Sequence, residues 1–168
     1  MHGQPTVAAW LRLIHILRPS PVKHPCVMKH KLSSDDRRFR TEFEACSVDP
    51  ERFDHAAHLR LAYIYLVEND TETALRLIRA ALRAFLQHHD VDPSKYHETM
   101  TRAWILAVRH FMEISPPARS ATVFIERNPS MLDTKIMMTH YSAEVLFSAE
   151  ARSLFVEPDL DPIPRHEP

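Results

Sequence analysis

The stretch Leu59-Arg60-Leu61-Ala62-Tyr63-Ile64-Tyr65-Leu66-Val67 decides the fold. Apolar side chains fill almost every position rather than one stripe, the pattern of a helix enclosed on all sides by other elements. The helix that contains it is expected over about residues 54–68. Asn69-Asp70 breaks it, and Asp70 supplies the cap for a third helix from Thr71 to about His88. There Ala74, Leu75, Ile78, Ala81, Leu82 and Phe85 recur at helical spacing, with Arg76, Arg79 and Arg83 opposite. Two helices joined by so short a link read as an antiparallel hairpin.

Outward from this hairpin the chain stays helical. A first helix is expected from Ser34 to Cys46, capped by Ser33 with Asp36 and carrying Phe39 and Phe43 on one face. A fourth begins between Pro93 and Glu98 and runs to Ile114, with Met100, Trp104, Ala107, Val108 and Phe111 as its stripe. Ser115-Pro116-Pro117 ends it. Short helices are expected at Ser120–Arg127 and at Met131–Met138, the latter capped by Ser130 with Asp133. Ser142 caps a turn in which Tyr141 can staple onto Leu146, and Ser148 starts a last helix to Phe155. The proline-rich tail from Glu157 to Pro164 is expected to be extended. The fold class is therefore all-α: a compact orthogonal or up-down multi-helix bundle with a central buried helix and no sheet. The hairpin looks superficially like a tetratricopeptide unit, but that architecture repeats every ~34 residues, and no second copy occurs.

Residues 1–31 read differently. Pro5, Pro19, Pro21 and Pro25 interrupt them, and Val7–Leu17 is their one candidate amphipathic helix. They are expected to be a poorly ordered extension of a single helical domain over 32–168. Translation from Met28 would account for the change in character.

Bulk composition excludes several chemistries. One glycine, Gly3, in 168 residues leaves no phosphate-cradling loop or dinucleotide fingerprint, so no nucleotide cofactor is expected. A net charge of -1 gives no global electrostatic argument for nucleic acid, and none is expected as a partner. No apolar run reaches the ~18 residues of a membrane span. Cys26 and Cys46 form no CxxC, and two reduced thiols with no secretory signature point to a cytoplasmic protein.

Twelve histidines remain to be explained. Those in the terminal segments, including His30 and His166, and the pair His88-His89 closing the third helix have ordinary roles. His55 and His58 differ, because a spacing of three puts both imidazoles on one helical face. His97 opens the fourth helix within Tyr96-His97-Glu98-Thr99, in line with Thr101 and Trp104 on the buried stripe. All three lie near helix N-termini, where the dipole disfavours imidazolium and keeps the rings neutral, the metal-ligating form. Three neutral histidines, with Asp54 or Glu98 as carboxylate, would suit Zn²⁺ or Fe²⁺. A hydrogen-bonded polar cluster is the competing reading. HxxH alone is a weak signal, and neither HExxH nor ExxH occurs.

Four motifs carry a family resemblance: Phe53-x-His55-x-x-His58-Leu59-Arg60-Leu61-Ala62, Tyr96-His97-Glu98-Thr99-x-Thr101, Tyr141-Ser142 with Leu146-Phe147-Ser148, and Glu157-Pro158-Asp159-Leu160-x-Pro162. Through them the chain resembles a family of small bacterial all-helical proteins to which no activity is assigned. The resemblance spans about residues 36–164. It implies where a site lies and brings no reaction, cofactor or partner.

Two functions follow as expectations. In one, the chain acts on a small molecule: His55, His58 and His97 ligate a metal or serve as bases, Glu98 acts as ligand or general base, and Tyr96 and Thr101 orient the substrate. In the other, it is a non-catalytic helical module that binds another protein.

Overall fold

The all-round apolar run is at the centre of the molecule. In the computed structural model, which describes residues 29–166, the run lies in helix α2, His55–Glu68. Leu59, Leu61, Ala62, Tyr63, Ile64, Tyr65 and Leu66 are all buried. Four helices surround it: α1 (Ser34–Glu44), α3 (Thr71–His88), α4 (Glu98–Ile114) and α5 (Ala121–Arg127). Two short helices, α6 (Ala143–Leu146) and α7 (Ala149–Ser153), follow. No strand occurs among the described residues, so the fold is all-α as expected.

Caps set most of these boundaries. Ser33 accepts from the Asp36 amide while Asp36 reaches back to the Ser33 amide, a full capping box. Asp54, Asp70, Ser120, Ser142 and Ser148 each accept one amide of the first turn they precede. α1 stops short of Cys46, which takes a left-handed φ of 54°. The expected helix over Met131–Met138 is instead two 3₁₀ segments, Pro129–Leu132 and Thr134–Thr139. The Asp133 carboxylate captures the Lys135 amide between them and restarts the chain. The last helix ends at Ser153 rather than Phe155.

α4 is apolar on two sides, and this divides the interior. Ile105, Val108 and Met112 join the main core around α2, with Phe43, Phe85 and Phe124. Ala103, Leu106 and Ala107 face a second core completed by Met137, Tyr141, Leu146 and Ile163. Met131 and Met137 fill these cores, whereas Met138 lies at the surface. The tail is extended yet tied down. The Leu160 amide bonds the His140 carbonyl at 3.0 Å, and Thr99 both donates to the Leu154 carbonyl and accepts the Val156 amide.

At the other end, the chain is already part of the domain by His30, two residues before the expected start at 32. Its Nε2 donates to the Met112 carbonyl at 2.9 Å, Nδ1 accepts the Ala118 amide at 3.2 Å, and the ring lies edge-on to Tyr63 and Phe124. The Tyr63 hydroxyl, 3.0 Å from the Lys31 carbonyl, has its pKa pushed up to about 12, first by burial and then by Asp36. The candidate helix Val7–Leu17 lies outside the described residues, as does Met28.

Candidate functional site

Helices α2, α3 and α4 do not meet along their whole length. Where the N-terminal turns of α2 and α4 face the C-terminal half of α3, they leave an open cavity of about 600 Å³. Its walls are apolar: Leu59, Leu61 and Ala62 from α2, Ile78, Leu82 and Phe85 from α3, Met100, Trp104 and Ile105 from α4. Its polar lining includes Asp54, His55, His58, Lys95, His97 and Thr101. A mostly apolar concavity with a few convergent polar groups is the usual form of a small-molecule site. Helices two and four of the sequence thus bring all three singled-out histidines to one cavity, together with Tyr96 and Thr101.

The imidazoles are not equivalent, and their backbone partners fix what each can do. His55 Nε2 lies 2.9 Å from the Met131 carbonyl, with its ring edge-on to Trp104 at 4.6 Å. A carbonyl only accepts, so Nε2 carries the proton and Nδ1 is left as a lone pair without a protein partner. His58 has the opposite tautomer. Its Nδ1 donates to the Asp54 carbonyl at 2.8 Å, its ring packs on Phe53 at 4.1 Å, and Nε2 keeps the free lone pair. His58 is exposed at the cavity mouth, but protein surrounds it on most other sides. That loss of solvent lowers its pKa, and the neighbouring His55 lowers it further.

His97 is the cap of α4 rather than a member of its buried stripe. Nδ1 accepts the Met100 amide at 3.2 Å and Nε2 donates to the Leu146 carbonyl at 2.9 Å, so both ring nitrogens are engaged. Its pKa is lowered, chiefly by burial and also by the charge of Arg152. No group of three or more His, Cys, Asp or Glu side chains is gathered to hold a cation among the described residues. As placed, His55 and His58 have lone pairs to offer, and His97 has none.

Glu98 turns away from the cavity lining. It is 5% exposed and forms a two-pronged pair with Arg79 of α3, whose Nε lies 3.0 Å from Oε2. The Tyr96 hydroxyl donates to the same Oε2 at 2.8 Å, and the Arg83 guanidinium lies over the Tyr96 ring. Burial first, then the bond to Glu98, raises the Tyr96 pKa and keeps the phenol protonated. This carboxylate acts as a structural tie between α3 and α4, holding Tyr96 in the cavity wall. Sequence reasoning did not single out Arg79 as its partner, because the pair joins positions 19 residues apart on different helices. Lys95, at the end of the 3₁₀ turn Pro93–Lys95, was likewise missed as the cation of the lining.

Among the described residues no helix is long and apolar enough to cross a membrane. Comparison with models of protein families, with curated proteins and with solved structures finds no match.

Proposed function

We propose that this chain binds a small, largely apolar molecule in the cavity between α2, α3 and α4, with His55 and His58 meeting its polar end. One observation carries the reading: two imidazoles, one helical turn apart, each keep a nitrogen without a protein partner, and both residues line a mostly apolar cavity. Of the groups present, His58 is the one suited to proton transfer, since its Nε2 has no protein partner, the residue reaches solvent, and burial lowers its pKa in favour of the neutral ring. Thr101 lines the wall one turn along α4, where a hydroxyl can orient a bound group.

A divalent cation, Zn²⁺ or Fe²⁺, is a narrower form of the same reading. Its protein donors would be His55 Nδ1 and His58 Nε2, with Asp54 the nearest carboxylate in sequence. Zn²⁺ raising the thermal midpoint, with the rise lost in His55→Ala and in His58→Ala, would support it.

The neutral dye Nile red tests the small-molecule reading. The expected result is one saturable site per chain, weakened at least tenfold when Thr101→Phe fills the cavity. Binding that is unsaturable, or equally strong in Thr101→Phe and in Ala62→Phe, would overturn it.

A further inference from the structure

Backbone contacts of the two cavity histidines restrict the ligand's head group, an inference that rests on the small-molecule reading above. We propose that the cavity takes an apolar molecule whose head group donates hydrogen bonds, an alcohol, phenol or amine, and that it selects against ligands that only accept.

The tautomers supply the reason. An imidazole usually adapts, because either nitrogen can carry the proton. Here that freedom is removed twice. His55 spends its N–H on the Met131 carbonyl and His58 spends its N–H on the Asp54 carbonyl. Turning either ring into a donor towards the cavity would set a lone pair against a carbonyl oxygen or require a second proton. The second proton is disfavoured: for His58, burial and the adjacent His55 both oppose the charged form. His97 cannot substitute, since its N–H is held by Leu146. The Asp54 carboxylate, also on the lining, adds acceptor oxygens, one of which already receives the Ala57 amide at 2.9 Å.

The donors on the lining are fewer. Lys95 is exposed at the rim, and the Tyr96 hydroxyl donates to Glu98. Thr101 and Thr134 can serve either way. Acceptors therefore outnumber committed donors, and both imidazoles share their cavity with apolar walls, where an unmatched polar group is costly. A methyl ether or a carboxylate would place lone pair against lone pair at this end, whereas a hydroxyl or an amine would satisfy it.

Calorimetric titration with four probes sharing one nine-carbon chain separates the cases: nonan-1-ol, nonylamine, methyl nonyl ether and nonanoate, at pH 8. The alcohol or the amine is expected to bind about tenfold or more tightly than the ether, the effect of one to two hydrogen bonds. His58→Phe, which keeps an aromatic ring against Phe53 but has no lone pair, is expected to bring the alcohol and the ether within about twofold of each other. His55→Phe serves as the parallel variant should His58→Phe not fold. Equal binding of alcohol and ether by the native chain overturns the donor rule while leaving the cavity reading intact. Tighter binding of nonanoate than of nonan-1-ol overturns it as well, by making Lys95 the recognition group. Binding of none of the four removes the cavity reading and the donor rule together.

Discussion

Arg79 on α3 and Glu98 on α4 face each other across the interhelical seam with two guanidinium–carboxylate contacts, and the Tyr96 hydroxyl closes the third side of the carboxylate. The carboxylate is almost fully shielded, while a third of the arginine side chain is exposed (34%). Removing one partner strands a buried charge; removing both does not. Glu98→Gln is therefore expected to destabilise the chain by about 1–3 kcal/mol, below the fully buried limit because the guanidinium is partly solvated. Arg79→Met in the Glu98→Gln background should recover part of that loss. Urea denaturation of the double-mutant cycle reads the coupling, and additive losses would remove the tie.

His97 holds two elements with two nitrogens, so its substitution divides into two parts. His97→Ala loses the cap on Met100 and leaves the Leu146 carbonyl unpaired, a cost of about 1–3 kcal/mol. His97→Asp restores the cap alone and should recover roughly 1 kcal/mol. Thermal midpoints of the three chains check this, and an aspartate variant no better than the alanine one would contradict the capping role.

The pH dependence follows from histidines whose folded pKa is lowered. His58, His97 and His110 each bind a proton less readily folded than unfolded, so the unfolded chain takes up more protons as pH falls. Their contribution to stability is whole above the unfolded value of about 6.5 and is lost as pH drops from there through the folded values. A falling urea midpoint between about pH 7 and pH 5 is expected, shallower in His58→Phe than in the native chain. Identical slopes would show that His58 does not titrate differently on unfolding.

Asp36 is fully buried and receives the Ser33 hydroxyl, the Ser33 and Ala121 amides and the Arg60 guanidinium. Four donors on one carboxylate bind the starts of α1 and α5 to the middle of α2. Asp36→Ala is expected to cost about 3–5 kcal/mol, lowering the thermal midpoint by roughly 6–20 °C for a chain of this length. Asp36→Asn, which keeps the shape but must set its NH2 group against either the Arg60 guanidinium or the Ser33 and Ala121 amides, should recover little. A loss under 1 kcal/mol in both would refute the account.

What could be read from the residues and what could not divides along sequence separation. Ser33, Asp70, Ser142 and Ser148 announce their helices because a cap acts within three residues of itself. The all-round pattern over Leu59–Leu66 places α2 at the centre for the same local reason. His55 and His58 stood out by their spacing, and Tyr96, His97 and Thr101 by their place at a helix start. The cavity that joins them needs the wall from α3, and nothing local tells that Ile78, Leu82 and Phe85 leave space against α2 and α4 instead of filling it. His30 was set aside as terminal, yet its partners are Met112 and Ala118, over 80 residues away. Likewise, Asp133 was read as supporting a helix begun at Ser130, whereas its side chain starts a new turn of its own.

The position of Ile163 has a consequence for how the molecule is made. This residue, 5% exposed, completes the core on the second side of α4, beyond α6 and α7 in the chain. A nascent chain can assemble α1 to α5 around α2 while residue 163 is still in the ribosome. Until residue 163 has emerged, however, Leu106, Ala107 and Tyr141 lack their covering side chain, and the Thr139 and His140 carbonyls lack the amides of Asp161 and Leu160. A chain lacking residues 160–163 would therefore keep this face of α4 bare, an apolar surface exposed to water.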